Sequence, residues 1–283
     1  MGGEELTDIA RFGRRQTKPP ELTDLHTHVI PGVDDGAPDL ESALAALGAL
    51  LSDGVTTVAA TPHLNASDLN GARRARADAG WRQLVGAAEA GLPGLELYRG
   101  YEIQLDVPEL DLNDAGLRLA GSRFVLVEFQ AFTVPERSAD ALARIGEQGY
   151  VPIVAHPERY WGYDRRYSVV PEWRAAGALL QVNGGSLLGE YGEHVRAVTH
   201  CFLSQGWVDI LASDNHARPS RSPSLRSVWN VLVRRGLEQE ARLLLATNPE
   251  RILRDEMPQT LGPVRPAGGL FTRVARALRG GRR

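Results

Sequence analysis

The sequence predicts an α/β protein whose strands form one closed or nearly closed β/α barrel. Three observations support this prediction: seven short apolar runs recur along the chain, helical patterns separate most of them, and a polar residue stands at the C-terminal end of each. Such alternation of strands and helices is typical of a parallel sheet. The length of 283 residues fits a single barrel, and an open doubly wound sheet is the alternative.

The seven predicted strands lie at residues 22–28, 54–61, 95–104, 124–129, 151–156, 178–183 and 208–213. Between the first two, Pro38 and Asp39 begin a segment with apolar residues at helical spacing, and Gly54 ends it, so this unit is predicted to be strand, helix, strand. Ala-rich or Leu-rich stretches predict further helices at about 66–91, 135–149, 189–206 and 222–246. The sequence contains neither GxGxxG nor GxxxxGK, which disfavours the doubly wound alternative.

Composition and charge exclude several classes of protein. Hydrophobic residues make up 43% and charged residues 24% of the chain, which excludes a disordered, collagenous or disulfide-rich protein. The formal net charge of −3 gives no general reason to bind nucleic acid, so no nucleic-acid partner is expected. Cys201 is the only cysteine, which suits a reducing compartment. A cysteine phosphatase needs an arginine six residues after its nucleophile, and Trp207 stands there instead.

The two ends of the chain differ from the rest. We expect an N-terminal extension over residues 1–20, a barrel domain over 21–257 and a basic tail over 258–283. No signal-peptide segment and no run of ~18–20 apolar residues is present, so a cytoplasmic location is expected. Residues 262–283 carry six Arg and no acidic residue, with apolar residues at helical spacing. They predict either a solvated tail or a segment that makes weak contact with the anionic inner membrane surface.

Candidate metal ligands stand at the predicted strand ends. His26 and His28 lie two residues apart in the first strand, so alternation places both imidazoles on one face. The other ends carry His63, Glu102, Glu128, His156, Asp214 and His216. In a barrel, all these ends open onto the face where active sites assemble. Each residue alone could be structural, but together they predict a metal cluster, because burying unpaired carboxylates costs on the order of several kcal/mol each.

These residues resemble the PHP (polymerase and histidinol phosphatase) family of metal-dependent phosphoesterases. Within that family, the chain looks most like the bacterial protein-tyrosine phosphatases of capsular and exopolysaccharide biosynthesis. The resemblance covers about residues 22–217, and its segments DLHTHVIPGVDDGAPDLESALAAL, GVTTVAATPHL, LVEFQ, PIVAHPERY, LLQVNGGSLLGEYG and ASDNHA occur in the family order. It implies a single distorted seven-stranded β/α barrel of the PHP, TIM-like type.

By position, the resemblance implies three divalent metal ions. The first is held by His26, His28, Glu102 and Asp214, the second by Glu102 as a bridge with Glu128 and His156, and the third by Asp35, His63 and His216. Only the family alignment distinguishes Asp35 from its neighbour Asp34. Mixed imidazole and carboxylate ligands suit manganese, iron or zinc, and the resemblance favours manganese.

Two arginines are implied as catalytic, phosphate-binding residues. Arg159, in the segment HPER, matches the family's phosphate-binding Arg, and a guanidinium holds two phosphate oxygens at once. The alternative for Arg159 is a surface ion pair with Glu158 or another acid. A second such Arg is expected after the SDxH element, where Arg221 is preferred over Arg218. Asn183 and the glycines that follow it are expected to form a local turn rather than to act in catalysis.

The leading functional hypothesis is metal-dependent hydrolysis of phosphotyrosine on a protein, in which metals activate water and neutralise the phosphoryl oxygens. The implied partner is a tyrosine-phosphorylated, membrane-associated bacterial kinase that controls capsular or exopolysaccharide synthesis. A PHP phosphatase of a small phosphomonoester such as histidinol phosphate is the first alternative, because the same metals would serve either substrate. A nucleic-acid-processing PHP module is a weaker alternative, and a non-enzymatic metal-binding scaffold is the least favoured.

Overall fold

The computed structural model describes residues 19–108, 110–218 and 225–264, and within them lie nine strands and nine α-helices. The strands are β1 (Leu22–Thr27), β2 (Val55–Ala60), β3 (His63–Asn65), β4 (Glu96–Arg99), β5 (Glu102–Gln104), β6 (Phe124–Glu128), β7 (Val151–Ala155), β8 (Leu179–Asn183) and β9 (Ile210–Ala212). The helices are α1 (Leu40–Ser52), α2 (Ala72–Gly91), α3 (Ser138–Glu147), α4 (Val169–Ala175), α5 (Gly184–Leu188), α6 (Glu193–Gln205), α7 (Leu225–Arg234), α8 (Glu238–Arg242) and α9 (Asn248–Leu253).

All paired strands are parallel, and they form two sheets. One sheet has the order β1-β2-β4, and the other has the order β3-β5-β6-β7-β8-β9. The prediction of an α/β protein with parallel strands is therefore confirmed. The described residues contain nine strands rather than seven, and no closed ring of paired strands is detected among them, so the seven-stranded barrel stays a prediction.

The count differs because β3 lies just beyond the predicted run at 54–61 and because the run at 95–104 contains two strands, β4 and β5. Each predicted run contains a strand, but β2 gives way to β3 at Pro62 and β4 gives way to β5 at Gly100. Pro62 has no N–H to donate to a ladder, so pairing stops there and starts again. Single hydrogen bonds still connect the fragments, since the Gly100 N–H donates to Ala60 O at 3.0 Å and the Glu102 N–H donates to Pro62 O at 3.1 Å.

Between β1 and β9 a side chain takes the place of part of the ladder, and one isolated parallel bridge joins Thr27 to Asn215. The Ser213 N–H, just after β9, donates to Asp24 Oδ1 of β1 at 3.0 Å. Nearer the strand ends the backbones bond directly, where the Asp214 N–H donates to His26 O at 2.9 Å. The first and last strands therefore meet at the positions of two candidate ligands.

The helix predicted between the first two strands is confirmed as α1. Asp39 caps its N-terminus, since Asp39 Oδ1 accepts a hydrogen bond from the Ser42 N–H at 2.8 Å. Gly54 follows the helix with a left-handed φ of +90°. The buried face of α1 consists of Ala43, Leu47 and Leu50.

The other four predicted helical stretches contain α2, α3, α6 and α7. The stretch at 222–246 is not one helix, because Gly236 has a φ of +78° and separates α7 from α8. The helices α4, α5 and α9 have only seven, five and six residues, too few for a periodic sequence pattern. No helix within the described ranges combines the length and the apolarity that crossing a bilayer requires.

Two hydrophobic clusters form the core. The larger packs the strands against the helices. The smaller takes side chains from both sheets, including Leu25 of β1, Phe124 of β6 and Ile210 of β9, and Ile252 of α9 joins it. The two sheets therefore share one core. By alternation, Phe124 lies on the same face of β6 as Glu128, which places this candidate ligand at the end of that core.

Candidate metal centre

His26 and His28 stand at the end of β1 with both imidazoles fully buried. Their ring centroids are 5.2 Å apart and their Nε2 atoms are 3.1 Å apart. His26 Nδ1 lies 2.9 Å from Gln181 Oε1, and His28 Nδ1 lies 2.8 Å from Asp34 Oδ2. Each Nδ1–H therefore donates to an oxygen, which leaves a lone pair on each Nε2.

The orientation of the Gln181 amide supports this assignment. The His156 N–H, which can only donate, lies 3.2 Å from Gln181 Oε1. Gln181 Nε2 donates to Asn183 Oδ1 at 2.8 Å, and Asn183 Nδ2 donates to Asp214 Oδ2 at 2.7 Å. Gln181 Oε1 is therefore the acceptor toward His26. Two amides of β8 thus connect candidate ligands from β1, from the end of β7 and from the segment after β9.

Two buried carboxylate oxygens face the same pair of nitrogens. Glu102 Oε2 lies 3.2 Å from His26 Nε2 and 3.3 Å from His28 Nε2, and Asp214 Oδ1 lies 3.4 Å from each. Neither oxygen accepts a hydrogen bond from the described residues. When both imidazoles are neutral, these four lone-pair atoms repel one another unless a cation lies between them. This donor set fits a divalent metal ion.

The electrostatics of the cluster also favour a cation. Burial lowers the pKa of His26, but Glu102 and Asp214 outweigh burial and raise that pKa to about 9. Burial raises the pKa of Glu102, but His26, His63 and His156 outweigh it and hold that pKa well below its usual value. The carboxylates that raise the histidine pKa also attract a metal ion, which competes with protons for the imidazoles.

A second cluster surrounds Glu128 at the end of β6. His63 Nδ1 lies 3.1 Å from Glu102 Oε2 and 3.2 Å from Glu128 Oε1. His156 Nε2 lies 2.7 Å from Glu102 Oε1 and 4.0 Å from Glu128 Oε2. The fully buried Glu102 thus contacts members of both clusters, which is the position that a bridging ligand needs.

Asp34 and Asp35 are adjacent in the sequence but have different environments, and only Asp35 belongs to a third cluster. Asp35 Oδ1 lies 3.6 Å from His63 Nε2 and 3.4 Å from His216 Nε2, and the Asp35 side chain is 57% exposed. Asp34, whose side chain is 3% exposed, accepts hydrogen bonds from His28 Nδ1 and from the His63 N–H at 2.9 Å. Asp35 is therefore the candidate ligand, whereas Asp34 positions two histidines. Donor atoms of His28, Asp35, His63 and His216 lie within 4.8 Å of one another.

Two candidate ligands have left-handed backbone conformations. His156 has a φ of +33° directly after β7, and Asp214 has a φ of +56° two residues after β9. Such conformations are uncommon outside glycine and cost on the order of 1–3 kcal/mol when strained. Both turn the chain at the point where a ligand is needed.

A cavity of about 180 Å³ lies beside these clusters. Its lining consists of Asp35, His63, Phe132, His156, Arg159, Tyr191, Asp214, His216 and Arg218. Arg159 Nη1 donates to Asp214 Oδ2 at 2.9 Å. Glu158 is buried and accepts hydrogen bonds from the Asn183 N–H and the Ser186 hydroxyl. The ion pair of Arg159 is therefore with a candidate ligand inside the cavity, and not with its neighbour Glu158.

Of the two candidates for the second phosphate-binding arginine, Arg218 falls within the described residues. It lines the cavity and donates to Asp35 O at 2.9 Å and to Asp35 Oδ2 at 3.3 Å. Arg221, the preferred candidate, lies outside the described residues, so its role stays a prediction.

The sequence does not identify Gln181, Phe132 or Tyr191 as site residues, and it assigns Asn183 to a turn. Gln181 and Asn183 are fully buried polar residues two positions apart on an otherwise apolar strand, and this alternation is a signal that the sequence offers. Phe132 and Tyr191 lie in loops, where no periodic pattern marks the direction of a side chain.

Several known proteins are similar to this chain. The family model for capsular polysaccharide synthesis proteins of the CpsB/CapC type matches residues 22–254. The tyrosine-protein phosphatase YwqE of Bacillus subtilis (strain 168) is 28% identical over 240 residues, which cover 83% of this chain and 92% of that protein.

Two solved structures extend these comparisons. One comes from the crystal structures of YwqE from Bacillus subtilis and CpsB from Streptococcus pneumoniae, which are called metal-dependent tyrosine phosphatases. It has a TM-score of 0.68 at 25% identity and covers 86% of this chain and 100% of that chain. A phosphotriesterase homology protein from Escherichia coli has a TM-score of 0.50 at 14% identity and covers 84% of this chain and 100% of its own, which shows a likeness of fold alone.

Proposed function

The chain belongs to the CpsB/CapC family of capsular polysaccharide synthesis proteins, and we propose that it hydrolyses phosphotyrosine on a protein by means of bound metal ions. The relatives described above are named tyrosine phosphatases. One observation carries the proposal: His26 Nε2, His28 Nε2, Glu102 Oε2 and Asp214 Oδ1 converge beside a cavity that contains the Arg159 guanidinium. Metal-dependent phosphoester hydrolysis uses metal ligands and a phosphate-binding cation within one cavity.

We propose that nine side chains hold three divalent ions. The first site has His26, His28, Glu102 and Asp214, the second has Glu102, Glu128 and His156, and the third has Asp35, His63 and His216. His63 has one nitrogen 3.2 Å from Glu128 and the other 3.6 Å from Asp35, so it stands between the second and third sites. The donors suit manganese, iron or zinc alike, and manganese is proposed because the family resemblance favours it. When bound, such ions supply an activated water nucleophile and positive charge toward the phosphoryl oxygens.

Arg159 is proposed to bind the phosphoryl group. Within the described residues its guanidinium makes one hydrogen bond, from Nη1 to Asp214 Oδ2. Its other N–H groups can therefore reach phosphoryl oxygens, and charge-assisted hydrogen bonds contribute about 1.5–3 kcal/mol each. Asp214 holds Arg159 in a fixed direction relative to the first metal site. Arg221 is proposed as the second phosphate ligand, with Arg218 as the alternative.

The leaving group of phosphotyrosine suits this site. A phenol has a pKa of about 10, so the tyrosine oxygen departs with less protonation than an alkoxide needs. The side chains of the site are proposed to bind metal and phosphate, and a phenolate can leave without a general acid. An aryl phosphate therefore fits the site better than histidinol phosphate, whose leaving group is an alkoxide.

The physiological substrate is proposed to be a tyrosine-phosphorylated, membrane-associated bacterial kinase in capsular or exopolysaccharide synthesis. The description of the family supports this role in polysaccharide synthesis. We propose that the enzyme works in the cytoplasm and that residues 262–283, with their six Arg, make weak contact with the anionic inner membrane surface. All but 262–264 of this tail lie outside the described residues.

Side-by-side assays on a phosphotyrosine peptide and on histidinol phosphate, with metal analysis of the same sample, test this function. We expect kcat/KM to be at least about tenfold higher for the peptide, because the better leaving group lowers the barrier by more than about 1.4 kcal/mol. Chelation should abolish both activities. Faster hydrolysis of histidinol phosphate would instead indicate a small-molecule phosphatase.

A further inference from the structure

Two aromatic rings contact the guanidinium of Arg159. The Arg159 Cζ atom lies 4.6 Å from the ring centroid of Phe132 and 4.6 Å from that of Tyr191. A guanidinium at this distance over a ring is attracted to the π-electrons and stacks on the ring. Together with the hydrogen bond to Asp214, contacts from three separate segments hold this one side chain.

The loop that carries Phe132 adopts an unfavourable backbone conformation at this point. Ala131 has a φ of +55° and Phe132 has a φ of +50°, both in the left-handed region. Such conformations persist only where the surrounding structure imposes them. Here the Trp161 N–H donates to Phe132 O at 2.7 Å, and the Val134 N–H donates to Trp161 O at 3.0 Å. The result is a Phe132 ring that lies against Arg159.

Tyr191 reaches Arg159 from the turn between α5 and α6. The Tyr191 ring packs beside Gly185, which has no side chain. A Cβ at this position would lie only 3.1 Å from Tyr191 Cε2. Gly189 and Gly192, on either side of Tyr191, both have a φ of +91°. Both rings also line the cavity beside the metal clusters.

From these contacts we propose that Phe132 and Tyr191 are positioning residues that act on the phosphoryl group through Arg159. The inference rests on the proposed role of Arg159 as a phosphate ligand. A guanidinium held by two rings and a carboxylate has less conformational freedom to lose when it binds an anion in the cavity that it lines. The two rings therefore set how tightly the site binds phosphate.

Binding of inorganic phosphate to the metal-loaded protein, measured by calorimetry, tests this proposal without catalysis. Phe132→Leu and Tyr191→Leu should each weaken phosphate binding roughly threefold to thirtyfold, the range expected for a lost cation–π contact. In an Arg159→Ala background, the same substitutions should change binding by less than about twofold. Phe132→Tyr and Tyr191→Phe keep the rings and should bind phosphate within about twofold of the wild type.

Trp161→Leu is the matched control. Trp161 is a 64% exposed aromatic residue of the same region, and it stacks on His194 rather than on Arg159, so its loss should leave phosphate binding unchanged. If a leucine variant does not fold, methionine at the same position repeats the test.

Three results would overturn the proposal. Full losses in the Arg159→Ala background would mean that the rings act on the ligand or on the fold. Equal losses in Tyr191→Phe and Tyr191→Leu would assign the effect to the hydroxyl. Normal binding in both leucine variants, with a large loss in Arg159→Ala, would show that Arg159 binds phosphate without any contribution from the rings. Normal binding in Arg159→Ala itself would instead contradict the proposed function of Arg159.

Discussion

Gln181 Oε1 lies 2.9 Å from His26 Nδ1, and the same oxygen accepts a hydrogen bond from the His156 N–H at 3.2 Å. One buried amide therefore positions candidate ligands from two strands, and through Asn183 it also reaches Asp214. A hydrogen bond to the non-coordinating nitrogen of a histidine determines which nitrogen is free for a metal. Gln181 thus stabilises the tautomer in which His26 Nε2 is available as a ligand.

We predict that Gln181→Leu weakens metal binding roughly 10- to 100-fold, the usual cost of removing a residue that orients a ligand. Leucine cannot accept from His26 Nδ1 or from the His156 N–H and cannot donate to Asn183, so three buried groups lose their partner. Competition with a fluorescent chelator measures the dissociation constant. Gln205→Leu, the same change at an exposed position, is the control. Equal affinity of the Gln181 and Gln205 variants would exclude this role for Gln181.

His156→Ala and Arg159→Ala should both lose activity, but for different reasons. We expect His156→Ala to lose metal and almost all turnover, because a ligand of the second proposed site is missing. Arg159→Ala should keep its metal content and lose roughly one to two decades in kcat/KM, the effect of losing a charge-assisted hydrogen bond. Metal analysis and steady-state kinetics on both variants measure this. Small and equal effects of the two substitutions would argue against the assigned roles.

The stability of the protein should fall in mild acid partly because of His200. Burial, followed by the charges of Arg235 and Arg196, lowers the pKa of His200 from 6.5 to about 4. Between these two values the unfolded chain binds more protons than the folded one, so stability that is fully present above pH 6.5 is lost as the pH falls toward 4. His200→Gln should therefore unfold with a weaker pH dependence across this window.

Urea unfolding of His200→Gln and the wild type, at several pH values from 4 to 7.5, measures the difference between their unfolding free energies. The variant should gain stability relative to the wild type as the pH falls below about 6.5. A constant difference across this range would show that His200 does not contribute to the acid sensitivity.

The basic tail is expected to attach the protein weakly to anionic lipid. Basic residues near such a surface contribute about 1 kcal/mol each, so six Arg give a salt-sensitive association. Co-sedimentation should show binding to anionic and not to neutral vesicles, and deletion of residues 262–283 should remove it. Identical sedimentation of full-length and truncated protein would rule out this contact. Hydrolysis of a soluble phosphotyrosine peptide should be the same for both proteins.

Much of the fold follows from local pattern. The seven apolar runs each contain a strand, and Asp39 and Gly54 mark the ends of α1. The break at Gly100 and the contact between β1 and β9 do not follow from it, because they depend on which groups meet across strands. The side-chain hydrogen bond from the Ser213 N–H to Asp24 replaces a ladder over a separation of 189 residues, which local periodicity does not encode.

The candidate site also contains some residues that the sequence predicts and others that it does not. His26 and His28 are predictable because a two-residue spacing in a strand fixes their common face. Asp34 and Asp35 are adjacent and chemically identical, so only their three-dimensional contacts and the resemblance separate them. The choice between Arg218 and Arg221 remains a prediction, because Arg221 lies outside the described residues.

The most direct test of the central claim, that phosphotyrosine hydrolysis depends on metal and not on Cys201, is to remove and restore the metal. Chelation should abolish hydrolysis of a phosphotyrosine peptide, and added manganese should restore it. Cys201→Ser should keep turnover within about twofold of the wild type, because the half-buried thiol has no place in a metal mechanism. Full activity of metal-free protein, or a folded Cys201→Ser protein without activity, would contradict the claim.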